Sequence, residues 1–165
     1  MAKARASSID AKIKTPAQIK KIIALHRRNG KKIAFTNGCF DILHYGHVKY
    51  LEEAKQTADV LVVGLNSDSS VRRIKGRSRP INTERDRARV LAALSFVDYI
   101  SIFSAATPLG LIKCLEPDVL IKGGDWDAAN IAGAGFVKTY GGKTVVIPYQ
   151  KGYSTTGLIE KIYCG

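Results

Sequence analysis

Apolar positions along the chain fall into short runs that alternate with helical repeats. Thr15-Pro16 reads as a helix start, with Thr15 as N-cap and Pro16 in the first turn. Ile19, Ile22, Ile23 and Leu25 supply its apolar face, and Asn29-Gly30 stops it. Lys32 to Thr36 is a short apolar strand with Asn37-Gly38 as a tight exit, and a helix from Gly46 carries Val48, Leu51 and Ala54. Asp59 to Leu65 is rich in Val and Leu, as in a strand buried on both faces of a parallel sheet. A polar, basic loop is expected from Asn66 to Asn82. Thr83 then caps a helix bearing Val90, Leu91, Leu94 and Phe96, and Tyr99 to Phe103 is a third strand. Thr107-Pro108 opens a helix that ends near Glu116-Pro117, followed by a strand over Val119 to Lys122. Residues 123–140 read as a Gly-rich loop and a helix closed by Gly141-Gly142, Thr144 to Ile147 as a fifth strand, and Ser154 to Tyr163 as the last helix.

Strands alternating with helices predict βαβ units. The expected fold is α/β: a Rossmann-like, parallel five-stranded sheet flanked by helices. A loose, basic lead-in over residues 1–14 precedes a single domain over 15–165. In such sheets the ligand lies beyond the carboxyl ends of the strands. The unusual residues fall there: Asn37–His47, Asn66–Arg79, Lys122–Trp126 and Tyr149–Thr156 each follow a strand.

Length and composition narrow the class. A chain of 165 residues suits one domain with one core. Its apolar runs are too short to cross a membrane, and no apolar stretch follows Lys3 and Arg5 to make a secretory signal. Cys39, Cys114 and Cys164 are widely spaced, without a CxxC or Cys/His metal pattern, which fits a reduced, cytoplasmic compartment. The net charge of +12 calls for anionic partners, either phosphorylated small molecules or nucleic acid. The basic residues are spread along the chain, and RNP-like aromatic motifs and zinc-finger spacings are absent, so small phosphorylated ligands are the better reading. A non-enzymatic, basic nucleotide- or RNA-binding module is the rival.

The chemistry concentrates where the first strand turns into a helix. Two histidines, His44 and His47, flank Tyr45-Gly46. Gly46 lacks a Cβ, so a phosphate chain can approach the backbone, and the helix start offers N–H groups and positive dipole. Imidazoles there can donate to phosphate oxygens more strongly as charge builds in a transition state. A third metal ligand is not evident, so no protein-bound metal is expected. Ser154-Thr155-Thr156 at the last helix is a second phosphate cradle, or simple N-capping. The basic loop Arg72–Pro80 is suited to closing over phosphates.

These segments carry a resemblance. The run TNGCFDILHYGHVKYLEEAK resembles the HxGH signature of the cytidylyltransferase-like nucleotidyltransferases, whose histidines contact the triphosphate. The resemblance implies catalytic roles for His44, His47 and Lys75. It implies nucleotide contacts from Thr36, Asn37, Gly38, Cys39, Phe40, Gly46, Arg77, Ser154, Thr155 and Thr156, with Arg79 and Arg87 as further candidates. Asp41, Asn66, Asp68, Lys122, Gly124 and Asp125 are the implied substrate-binding residues. The chain departs from the signature at Tyr153, where the family usually has Ile, and at Tyr149, where cytidylyltransferases often have Arg.

A longer match over roughly residues 30–163 includes NSDSSVRRIKGRSRPIN, EPDVLIKGGDW, Ile131-Ala132-Gly133, Gly141-Gly142-Lys143 and YSTTGLIEKI. Together these are similar to the D-glycero-β-D-manno-heptose 1-phosphate adenylyltransferase family, often fused behind a ribokinase-like kinase; at this length the stand-alone form is expected. That resemblance implies transfer of AMP from ATP, with Mg²⁺, to a sugar 1-phosphate. The products are ADP-heptose, for lipopolysaccharide core synthesis, and pyrophosphate. It further implies a homo-oligomer with no nucleic-acid or membrane partner. A cytidylyltransferase or an FAD synthetase-like enzyme on the same fold is the alternative.

Overall fold

A computed structural model describes residues 9–124, 127 and 130–164. The helices are α1 (Pro16–Arg28), α2 (Tyr45–Gln56), α3 (Asp68–Lys75), α4 (Glu84–Ala92), α5 (Leu109–Leu115), α6 (Ala134–Thr139) and α7 (Thr155–Cys164). The strands are β1 (Ile33–Gly38), β2 (Val60–Asn66), β3 (Tyr99–Phe103), β4 (Val119–Gly123) and β5 (Lys143–Ile147). All strand pairs are parallel, in the order β3-β2-β1-β4-β5.

The period-two pattern of β1 and β2 builds two cores. Ile33, Phe35, Val60 and Val62 face α1, α5 and α6, where Ile19, Ile23, Ile112, Leu115 and Val137 are buried. Ala34, Leu61, Val63 and Leu65 face Leu51 and Ala54 of α2 and Ala88, Leu91 and Ala92 of α4. Both faces of the sheet are covered, as an all-parallel sheet requires. Carboxylates satisfy backbone donors at the opposite end from the site: Asp59 accepts from Lys32 N (2.8 Å), Asp118 from Ile33 N (2.9 Å) and Asp98 from Leu61 N (2.7 Å).

The expected helix starts are present, with Thr15 in a full capping box with Gln18 and Thr83 accepting from Asp86 N. Two expectations need correction. The loop expected over Asn66–Asn82 contains α3, because Ser67 caps it (accepting from Ser70 N) and Val71 finds a fully buried position. The loose lead-in is docked from Ile9 onward. Ile9 and Ile13 pack on the core, Lys14 N donates to Ile100 O at 2.9 Å, and Lys12 Nζ donates to Leu94 O at 2.9 Å.

In this strand order the chain leaves β1 in opposite directions, toward β2 and, later, toward β4. The crevice of a parallel sheet opens at that reversal. It lies between the carboxyl ends of β1 and β4, at Asn37-Gly38 and Lys122-Gly123.

Candidate active site

A cleft of about 610 Å³ occupies that crevice. Its walls are the β1–α2 turn, the end of β4, the segment 149–156, and Lys75 and Arg79 from beyond β2.

The β1–α2 turn is held by capping. His44 is the N-cap of α2, and its Nδ1 accepts from His47 N at 3.3 Å. An accepting Nδ1 is unprotonated, so the neutral ring carries its proton on Nε2 and has that donor to offer. The His44 and His47 rings stack at 3.7 Å, and Phe40 meets His47 edge-on at 5.2 Å. His47 Nδ1 is buried without a hydrogen-bond partner among the described residues. Burial, then the neighbouring His44, pushes the His47 pKa down to about 4, and the nearby Ile42 backbone only partly opposes them. Burial also lowers that of His44. Both imidazoles are therefore neutral donors at pH 7 in the unliganded protein. The third histidine, His26, pairs with the Tyr99 hydroxyl at 3.2 Å, away from the cleft.

A second part of the wall starts α7. Ser154 Oγ accepts from Gly157 N at 3.0 Å, so the capping reading of this motif is realised. Thr155 and Thr156 line the cleft beside it. The helix starts of α2 and α7 thus border one space.

Cations border the same space. Lys75 ends α3, and Arg79 follows in the next loop. Lys122 enters from β4, its pKa lowered by burial, with the Cys39 thiol acting the other way. Burial pushes the Cys39 thiol up, against the pull of Lys75, Arg87 and Arg79. Among the described residues no group of three or more His, Cys, Asp or Glu is placed to hold a metal ion.

Of the residues expected from sequence, the cleft gathers Asn37, Gly38, Cys39, Phe40, His44, Gly46, His47, Lys75, Lys122, Ser154, Thr155 and Thr156, with Arg79. Others stand behind it. Thr36 is fully buried, its hydroxyl 2.5 Å from that of Tyr50. Asp41 accepts from Arg79 Nε (2.5 Å), Ile81 N (2.8 Å) and Asn82 N (3.0 Å), which makes it an anchor for the basic loop rather than a substrate contact. Arg87 is also buried, donating to the carbonyls of Cys39 (2.6 Å) and Asn66 (2.9 Å) and to Asp68 (2.8 Å). Asn66 and Asp68 are engaged in that network and do not line the cleft. Arg77 is exposed and off the wall. Gly124 sits with φ +111 against the Tyr149 ring, and Asp125 lies outside the described residues.

Sequence reading missed Tyr50 as a wall residue; Gly123 and Tyr149–Tyr153 lie in stretches it placed at the ligand end of the strands without naming them as site residues. The position of 149–153 after β5 was the available signal.

A parallel sheet with two helix starts, paired imidazoles and cations around one crevice defines a phosphate-handling α/β transferase. The chain belongs to the cytidylyltransferase-like family, which matches residues 35–161, and it is a nucleotidyltransferase. It is 53% identical over 156 residues to the bifunctional protein HldE of Geobacter metallireducens, covering 94% of this chain and 32% of that protein. It is 52% identical over 153 residues to the bifunctional protein HldE of Campylobacter jejuni, covering 93% and 32%. The chain thus spans about a third of the length of these curated relatives. The crystal structure of the lipopolysaccharide core biosynthesis protein from Thermoplasma volcanium superposes with a TM-score of 0.61 at 29% identity, over 76% of this chain and 100% of that one.

Proposed function

We propose that the chain transfers AMP from ATP to D-glycero-β-D-manno-heptose 1-phosphate, releasing pyrophosphate and ADP-heptose. The observation that carries this reading is the convergence of both histidines, Lys75, Arg79 and the α7 start on one crevice. The names of the bifunctional relatives and of the lipopolysaccharide core protein support the choice of acceptor.

A phosphate oxygen of the acceptor attacks the α-phosphorus of ATP in line, and pyrophosphate leaves. That nucleophile is already ionised at neutral pH, so no general base is required. Catalysis then rests on positioning and on stabilising developing charge. His44 and His47 donate to phosphate oxygens, the α2 and α7 starts present backbone N–H groups, and Lys75 and Arg79 meet the departing pyrophosphate. Lys122 faces the acceptor phosphate. Mg²⁺ enters as the ion carried by ATP: the wall groups are cationic and suit the phosphates, not the metal.

The same reading takes residues 15–165, with the docked segment 9–14, as one domain, the protein as a cytoplasmic homo-oligomer, and its partners as ATP and the sugar phosphate. No helix among the described residues is long and apolar enough to cross a membrane.

Pyrophosphate release with β-heptose 1-phosphate and Mg²⁺, compared between ATP and CTP, tests the proposal. Release with ATP alone is expected. Release with CTP would move the chain to the cytidylyltransferases, and tight, salt-sensitive RNA binding without release would favour the non-enzymatic reading.

A further inference from the structure

The histidine turn and the α7 start come from opposite ends of the chain, and they meet beside Gly46. Thr155 Oγ1 donates to the Ile42 carbonyl at 3.5 Å. The other link is Tyr153. Its ring lies parallel to His44 within 26° at 6.4 Å, and Tyr45 braces it from outside at 5.1 Å. The result is a column of rings, Phe40–His47–His44–Tyr153–Tyr45, running from the core to the surface. Gly46 makes it possible: a Cβ there would stand 3.0 Å from Tyr153 Cβ and 3.2 Å from the His44 ring. The general family signature has an aliphatic residue at position 153, which supplies no ring.

We propose that Tyr153 is a positioning residue, whose ring, near-parallel to His44 and seated against Gly46, braces the orientation in which the imidazole pair meets a phosphate. His47 stacks on His44 at 3.7 Å, and the Tyr153 ring lies near-parallel to His44 in offset at 6.4 Å. The α2 cap already commits Nδ1 to His47 N, so a turned ring would lose both the cap and the stack. Any displacement of the 149–154 segment is thereby transmitted to the imidazole that the reaction uses. This proposal rests on the reading of His44 as a phosphate-binding group.

The test is a double-mutant cycle with a spectroscopic arm. Tyr153→Phe should keep kcat within about twofold, and Tyr153→Ala should lower it about tenfold with the acceptor KM unchanged. In a His44→Ala background, Tyr153→Ala should cost less than about twofold, because the group it positions is gone. Equal losses in both backgrounds, or no loss at all, would overturn the proposal. The His44 Hε1 resonance of the free protein should keep its ring-current shift in Tyr153→Phe and lose it in Tyr153→Ala. An unmoved resonance in Tyr153→Ala also sinks the proposal, whatever the turnover. If the wild type releases no pyrophosphate with any acceptor, the transferase reading fails separately. ATP affinity in the same four proteins then decides the coupling: a loss confined to the His44 background supports it, and additive losses overturn it. Tyr153 is 47% exposed, so the fold is not at stake in either variant.

Discussion

Asp41 Oδ2 lies 2.5 Å from Arg79 Nε, and the Asp41 side chain is 1% exposed. Asp41 belongs to the turn that carries the histidines, and Arg79 to the basic loop that also borders the cleft. The pair therefore sets the distance between the imidazoles and the cations.

Asp41→Asn should destabilise the protein by about 3 kcal/mol, since it removes the charge from a buried ion pair and turns an amide donor toward donors. Burial alone would raise the Asp41 pKa; the Asn82 and Ile81 N–H groups and Arg79 outweigh it and hold it below the ordinary value. A lowered carboxylate stabilises above the unfolded-state pKa and loses that contribution as pH falls through the folded-state value. The gap between wild type and Asp41→Asn in urea unfolding should thus be full near pH 6 and shrink below about pH 4.

His47→Ala should lower kcat by about 10²-fold or more, by analogy with loss of a donor to developing charge. Near-normal turnover would remove His47 from the mechanism. The depressed pKa makes a second, independent demand. Between the ordinary value of 6.5 and about 4, the unfolded chain binds a proton that the folded His47 refuses. Wild-type stability should therefore fall with pH across that window more steeply than that of His47→Gln, measured by thermal unfolding of the free protein.

Arg87→Lys should behave as a severe change despite the conserved charge. One ammonium cannot reach the Cys39 and Asn66 carbonyls, Asn82 O and Asp68 together. A loss of about 3 kcal/mol or more is expected, read by chemical denaturation, with soluble activity reduced in proportion to the folded fraction.

Gly124→Ala should fail for two separable reasons. The φ of +111 strains any side chain, and the new Cβ would stand 2.5 Å from the Tyr149 ring. A loss of about 2 kcal/mol is expected. Adding Tyr149→Ala should restore the steric part and leave the backbone part, a partial rescue visible in the unfolding midpoint.

The framework was legible because periodicity and caps are local signals. Ile33–Phe35 against Val60–Leu65 announces a doubly covered parallel sheet, and Thr15 and Thr83 mark helices before any contact is known. The histidine and Ser-Thr-Thr turns stood out for the same reason. What the sequence hid is long-range. Asp41 and Arg87 carry the charges of ligand-binding residues, and nothing local says that their partners are backbone groups some 40 residues away. The α3 helix was lost in a run of Arg, Lys and Ser whose single buried apolar residue, Val71, is too little to make a period. Tyr50 packs against Thr36 from a helix interior, where an aromatic residue reads as ordinary core.

α7 has no fully buried residue over 155–163, whereas α2 behind the histidines buries Leu51 and Ala54 completely. The crevice is therefore asymmetric: one jaw is welded to the core, and the other is clipped on through Tyr153 and Thr155. Under the proposed function, the triphosphate would thus meet one wall fixed by the core and one fixed mainly by local contacts. Substitutions in α7 should consequently perturb the site at little cost in stability, whereas truncating Leu51 should cost both.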